Sequence, residues 1–140
     1  MKAPACSYFE DVPLDEVAET PAITVTPAHV NLYRGVAGEV TADPATVPDL
    51  LPLCLTSGLL WRVPQPPLAV LAFMGFEWQI LRSLRAGDTI SSRSRVVTKR
   101  PMREGGVVVE EREIVDQRGE VVQRGRLTFL TAKRPVDSAA

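Results

Sequence analysis

Pro48-Asp49-Leu50-Leu51-Pro52-Leu53-Cys54-Leu55-Thr56-Ser57-Gly58-Leu59-Leu60-Trp61 is the stretch on which the reading of the whole chain depends. Leu51, Cys54, Leu55 and Leu59 recur at helical spacing, and so do Leu50, Leu53, Leu60 and Trp61. Two apolar stripes leave little polar face, and a helix of that kind has to be covered by other elements. Asp49 is the expected N-cap, which puts Pro52 in the first turn, where its missing N–H breaks no intrahelical bond. The helix is expected to end near Arg62. After it, the three prolines of Val63-Pro64-Gln65-Pro66-Pro67 lack the N–H donors that either a helix or a ladder needs.

Downstream of that connector the chain reads as strand. Leu68–Leu81 starts apolar and then alternates, with Phe76, Trp78 and Ile80 to the core side and Glu77 and Gln79 to the other. Ala86-Gly87-Asp88 turns it into Thr89–Lys99, whose wet side carries Ser91, Arg93, Arg95 and Lys99. Gly105-Gly106 marks the next turn, ahead of Val107–Asp116, and Asp116-Gln117-Arg118-Gly119 closes a hairpin into Val121–Ala132. Upstream, Thr26-Pro27 is a cap followed by proline at the first helical position, so a helix is expected over 27–34. Val30 and Tyr33 share one of its faces, and Gly35 and Gly38 supply its stop. Ile23-Thr24-Val25 reads as a short strand, and 39–47 as a loop that Pro44 keeps from continuing the helix.

The expected fold class is α+β, a curved antiparallel β-sheet wrapped around a central apolar helix, in a single domain over 1–140. Residues 1–21 form a lead-in pinned by Tyr8 and Phe9, and 134–140 a frayed tail. One sheet covers only part of such a helix and leaves edge strands seeking partners, so a homodimer joined sheet edge to sheet edge is expected.

Composition removes several function classes. Seventeen acidic and sixteen basic side chains give a net charge of −1, which argues against a nucleic-acid partner. The charges on the strands are expected on a solvated sheet face. The N-terminus lacks the apolar core of a signal peptide, and no run reaches the ~18 apolar residues of a membrane span. A cytoplasmic protein with no membrane partner is expected. Cys6 and Cys54 lie far apart and His29 is the only histidine, so no metal and no other cofactor are expected.

Several short phrases, taken in order, resemble the MaoC-like hotdog proteins, best known for (R)-specific enoyl-CoA hydratases and related dehydratases. They are Tyr8-Phe9-Glu10-Asp11, Thr24-Val25-Thr26, Tyr33 through Gly38, Leu84-Arg85-Ala86-Gly87-Asp88-Thr89 and Asp116-Gln117-Arg118-Gly119-Glu120-Val121-Val122. The resemblance covers residues 8–134 and implies a hotdog fold with its sites at a dimer interface. In that family a Gly-Asp pair follows the first helix, and a His comes five residues after the Asp. The pair holds a water against the double bond of a thioester, supplying a base for the water's proton and an acid for the α-carbon. In this chain Gly38 and Glu39 hold the Gly and Asp positions, Thr41 and Ala42 replace Asn and Pro, and Pro44 stands where the His would be. The following loop is shorter. The small residues at the start of the central helix, whose N–H groups polarise the thioester carbonyl, become Pro48-Asp49. The resemblance thus implies the fold without its proton-transfer pair.

Three carboxylates near this loop are the catalytic candidates. Glu39 is either a base with a burial-raised pKa or a salt-bridged residue at the loop mouth. Asp43 is a catalytic acid or a turn residue before Pro44. Asp49 is the N-cap, a partner for a substrate hydroxyl, or a water-activating acid like that of hotdog thioesterases. Tyr33, Ser57, Trp61, Phe76 and Trp78 are the candidate substrate contacts, each with an ordinary packing role as its alternative. Ser57 has no base beside it that would make it a nucleophile. His29 reads as a capping or surface imidazole, and Cys54 as a buried, inert hydrophobe. Three functions stay open. The favoured one is an apolar pocket that shapes a long polyketide-like or acyl substrate (free, carrier-bound or CoA-bound) for cyclisation, cycloaddition included, or rearrangement. The others are an enoyl-thioester hydratase or dehydratase rebuilt on Glu39, and a non-catalytic subunit of a hotdog heterodimer.

Overall fold

The structure, a computed structural model, describes residues 6–136, so the ends of the expected lead-in and tail (1–5 and 137–140) lie outside the described residues. Thr26 caps α1 (Pro27–Ala37) as its sequence foretells. Its Oγ1 accepts the His29 N–H at 3.3 Å, while His29 Nδ1 accepts the Thr26 N–H at 3.0 Å. The helix runs past Gly35 to Ala37. Gly35 weakens a helix without removing a hydrogen bond, and the stop falls instead at Gly38, whose φ of 70° is left-handed.

The apolar stretch forms α2 (Leu51–Leu59), extended by a 3-10 turn over Leu60–Arg62. Asp49 is not its N-cap. Leu50 takes that position without a side-chain cap: of the two N–H groups a cap at Asp49 could use, that of Leu51 donates to the Pro48 carbonyl at 3.1 Å and Pro52 has none. The Asp49 carbonyl instead accepts Gln123 Nε2 at 2.8 Å.

Two short strands, β1 (Ala18–Glu19) and β2 (Ile23–Thr24), precede the helices, and β1 lies within the stretch expected to be lead-in. Four long ones follow: β3 (Val70–Ile80), β4 (Thr89–Met102), β5 (Gly105–Val115) and β6 (Val121–Thr131). All pair antiparallel, in the order β1-β4-β5-β6-β3, with β2 also on β4. The core cluster under α2 joins Val25 and Val30 to Leu51, Leu84, Ile90, Ile114 and Val122.

Three details depart from the alternation read in the sequence. A bulge between Val96 and Thr98 inverts the register of β4, so Lys99 leaves the wet side. Its Nζ sits 4.9 Å from the Phe9 ring centroid and donates to the Val12 carbonyl at 2.8 Å. The β4–β5 turn is Arg103-Glu104, and the two glycines expected there open β5 instead. Gly106 is pressed beneath Phe9, where a Cβ would come within 2.1 Å of the ring. The expected tail is fastened at its start, since the Arg134 N–H donates to Glu10 at 2.9 Å and its guanidinium to Asp11.

The largest departure concerns coverage. Leu51, Pro52, Thr56 and Leu59 are buried, yet Leu50, Cys54 and Trp61 are exposed, Trp61 by 70%. The sheet of one chain reaches one side of α2 only. β3 is an edge strand, and Phe76 and Ile80, expected in the core, are exposed with Leu71 and Met74.

Candidate functional site

The uncovered side of α2 is one wall of a cleft of about 530 Å³. Leu53, Cys54, Ser57, Leu60 and Trp61 line it at helical spacing, and the proline connector continues that wall. Phe73, Phe76, Leu127 and Phe129 form the opposite wall. Phe73 and Phe76 are three residues apart and would point oppositely in a regular strand. The register shift between Phe73 and Gly75 brings both into the cleft, with ring centroids 5.9 Å apart, and Phe129 lies 5.4 Å from Phe73.

Charge lies at the floor. Glu110 and Arg112 are 7% and 3% exposed, against the expectation that strand charges would sit on a solvated face. They are in phase with Val108 and Ile114, so β5 turns all four toward the core side. Arg112 donates Nε to Glu110 Oε1 at 2.8 Å, with Nη2 2.7 Å from the same oxygen, and donates Nη1 to Ser57 Oγ at 2.8 Å. The sequence signal for this pair was the two-residue period itself, which places 110 and 112 between core positions 108 and 114.

A second neighbourhood gathers at the loop after α1. Burial, then the charge and hydrogen bond of Glu39, push the Tyr33 hydroxyl above the usual phenol range, with Cys54 and Asp49 acting in the same direction. Tyr33 and Glu39 thus share this neighbourhood, while Cys54 lines the cleft. Among the described residues Glu39 has no ion-pair partner, so it is not the salt-bridged glutamate considered from sequence. Asp43 is a turn residue. The Ala45 N–H at 2.9 Å, and then Arg85 Nη1 at 3.0 Å, hold its carboxyl below the usual range. Arg34 closes the same loop by donating to Thr41 and, at 3.4 Å, to the Pro44 carbonyl. Trp78 packs against the core and donates Nε1 to Gln123 Oε1 at 2.9 Å.

Of the predicted substrate contacts, then, Ser57, Trp61 and Phe76 meet in the cleft, while Tyr33 and Trp78 lie elsewhere. Cys54 is exposed rather than buried. Among the described residues no three His, Cys, Asp or Glu side chains converge to hold a metal ion, and no helix is long and apolar enough to cross a membrane.

No family model matches the chain, and no curated protein matches it by sequence. Solved structures do. A monoamine oxidase regulatory protein from Archaeoglobus is similar with a TM-score of 0.83 and 25% identity, over 93% of this chain and 97% of that one. A MaoC-like dehydratase from Rhodospirillum rubrum is similar with a TM-score of 0.72 and 20% identity, over 92% of this chain and 99% of that one. A Mycobacterium tuberculosis protein described as a double hotdog fold matches with a TM-score of 0.71 and 20% identity, over 96% of this chain and 47% of that one. The matches also include (R)-hydratases. This chain has the hotdog fold, and MaoC-like dehydratases and (R)-hydratases are among its structural neighbours.

Proposed function

We propose that this chain, a hotdog protein of the MaoC-like kind, is an enzyme that folds a long apolar acyl or polyketide-like substrate in the cleft beside α2 and promotes its cyclisation or rearrangement. The observation that carries this reading is the make-up of the cleft. Its walls are aromatic and aliphatic, and the buried charges at its floor are bonded to each other. Such a site orients a flexible chain well, and with its floor charges spent on each other and Arg95 paired to Glu111, Glu16 is the remaining charged group of the lining. In an intramolecular cycloaddition two π bonds become two σ bonds and no proton moves. Holding the reacting ends together is then the main contribution, worth on the order of 7–11 kcal/mol at its upper limit.

The loop agrees. By resemblance the histidine position is Pro44, whose carbonyl accepts from Arg34, and His29 is engaged in capping α1. One observation favours a second reading: after burial, Glu39 acts most strongly on the Tyr33 hydroxyl, which brings a carboxylate and a proton donor into one neighbourhood. A hydratase or dehydratase rebuilt there would add water to crotonyl-CoA or a longer enoyl-CoA. The purified protein is expected to leave both unchanged in a hydration assay. Turnover that disappears in Glu39→Gln would establish the rebuilt hydratase instead.

The free edge of β3 and its exposed apolar side chains support pairing with a second copy of the chain. One matched structure is a 3R-hydroxyacyl-ACP dehydratase complex from Mycobacterium tuberculosis, and a heterologous hotdog partner is the alternative occupant of that edge.

A further inference from the structure

We propose that Glu110, Arg112 and Ser57 form a polar anchor that seats a neutral carbonyl oxygen of an otherwise apolar ligand. The proposal deepens the reading of the cleft as a substrate site and rests on it. A buried ion pair is a poor device for stability, because desolvation costs several kcal/mol per ion and well-packed apolar residues often serve as well or better. Its presence on the core face of β5, opening on an otherwise greasy cleft, calls for another use.

The hydrogen-bond directions indicate what that use is. Arg112 directs Nε and Nη2 to a single oxygen of Glu110 and gives Nη1 to Ser57 Oγ. Ser57 is therefore an acceptor toward the guanidinium, which leaves its own O–H to donate elsewhere. Among the described residues that hydrogen has no acceptor. Ser57 lies on the face of α2 that lines the cleft, alongside Cys54 and Trp61. Bonding to a cation polarises the hydroxyl and strengthens it as a donor. The pair as a whole is neutral, and a carboxylate placed at Ser57 would face the like charge of Glu110 while the charge of Arg112 is already opposed. A ketone, ester or thioester oxygen needs only the donor. The chemical class is a neutral carbonyl on a hydrocarbon chain.

Trp61 lines the cleft, so its fluorescence reports occupancy. The test titrates the protein at about pH 8 with three probes of one length: 2-nonanone, nonanoate and 1-nonene. The ketone is expected to bind about tenfold more tightly than the other two, the equivalent of one good hydrogen bond. Its carbonyl stretch should move to lower frequency on binding. Ser57→Ala should remove both the preference and the frequency shift, so that the ketone binds no more tightly than 1-nonene. Equal binding of ketone and alkene, tighter binding of nonanoate, or an unshifted carbonyl band in the wild-type protein would overturn the anchor and leave the cleft standing as an apolar site. Failure of all three probes to bind would overturn both readings.

Discussion

Tyr33 is where the environment of a single residue can be measured most simply. Burial first, and then Glu39, raise its pKa. The folded state therefore favours the protonated phenol. That contribution to stability is fully present below the ordinary value of about 10 and is lost as pH rises through the folded value. In an absorbance titration of the two tyrosines, Tyr8 and Tyr33, one phenol should ionise later than an ordinary tyrosine. Tyr33→Phe should remove that phase, and Glu39→Gln should bring it to lower pH. A Glu39→Gln curve identical to wild type would show that the carboxylate does not face the hydroxyl. At this scale the sequence is legible where one residue's chemistry acts on its near neighbours, the cap expected at Asp49 excepted. Thr26 and His29 cap α1, and Asp43 turns the chain before Pro44. It is not legible by residue type where a charge sits inside. Glu110 and Arg112 look like surface residues by type, and only their phase with Val108 and Ile114 says otherwise.

The decisive element is β3. From Val70 onward it bonds to β6 along one edge, and among the described residues its other edge has no strand partner. Leu71 and Met74 are more than half exposed on it. An apolar edge of this length invites pairing, and the chain is expected to sediment as a dimer. Met74→Glu should shift it toward monomer without unfolding it, as followed by sedimentation and circular dichroism. A wild-type monomer would contradict the homodimer and point to a different partner chain. The strands and α2 could be located from period alone, but their irregularities could not. The bulge at Phe73–Gly75 brings two phenylalanines to one face, and the bulge at Val96–Thr98 sends Lys99 inward. Neither insertion changes the composition of its strand, so neither leaves a mark in the periodicity.

At the scale of the whole molecule, the order of helices and strands was enough to imply a sheet curved over a helix, and the matched structures share that fold. The cleft was not foreseeable in the same way. Its lining runs from Ser7 to Phe129, residues brought together only by the folded topology. The resemblance therefore pointed to the loop after α1 as the place of the catalytic pair, while the apolar volume lies along the uncovered side of α2. The most direct test of where the chemistry occurs is product analysis with a linear chain carrying a conjugated diene and a distant alkene. A cyclic product of unchanged mass is expected, with Trp61→Ala and Phe76→Ala each slowing its formation by about tenfold or more, roughly 1.4 kcal/mol of barrier. Glu39→Gln should slow it by less than about threefold, well under 1 kcal/mol on the same scale. A product heavier by one water, with Glu39→Gln the most damaging of the three variants, would contradict the cleft as the seat of reaction and return it to the loop.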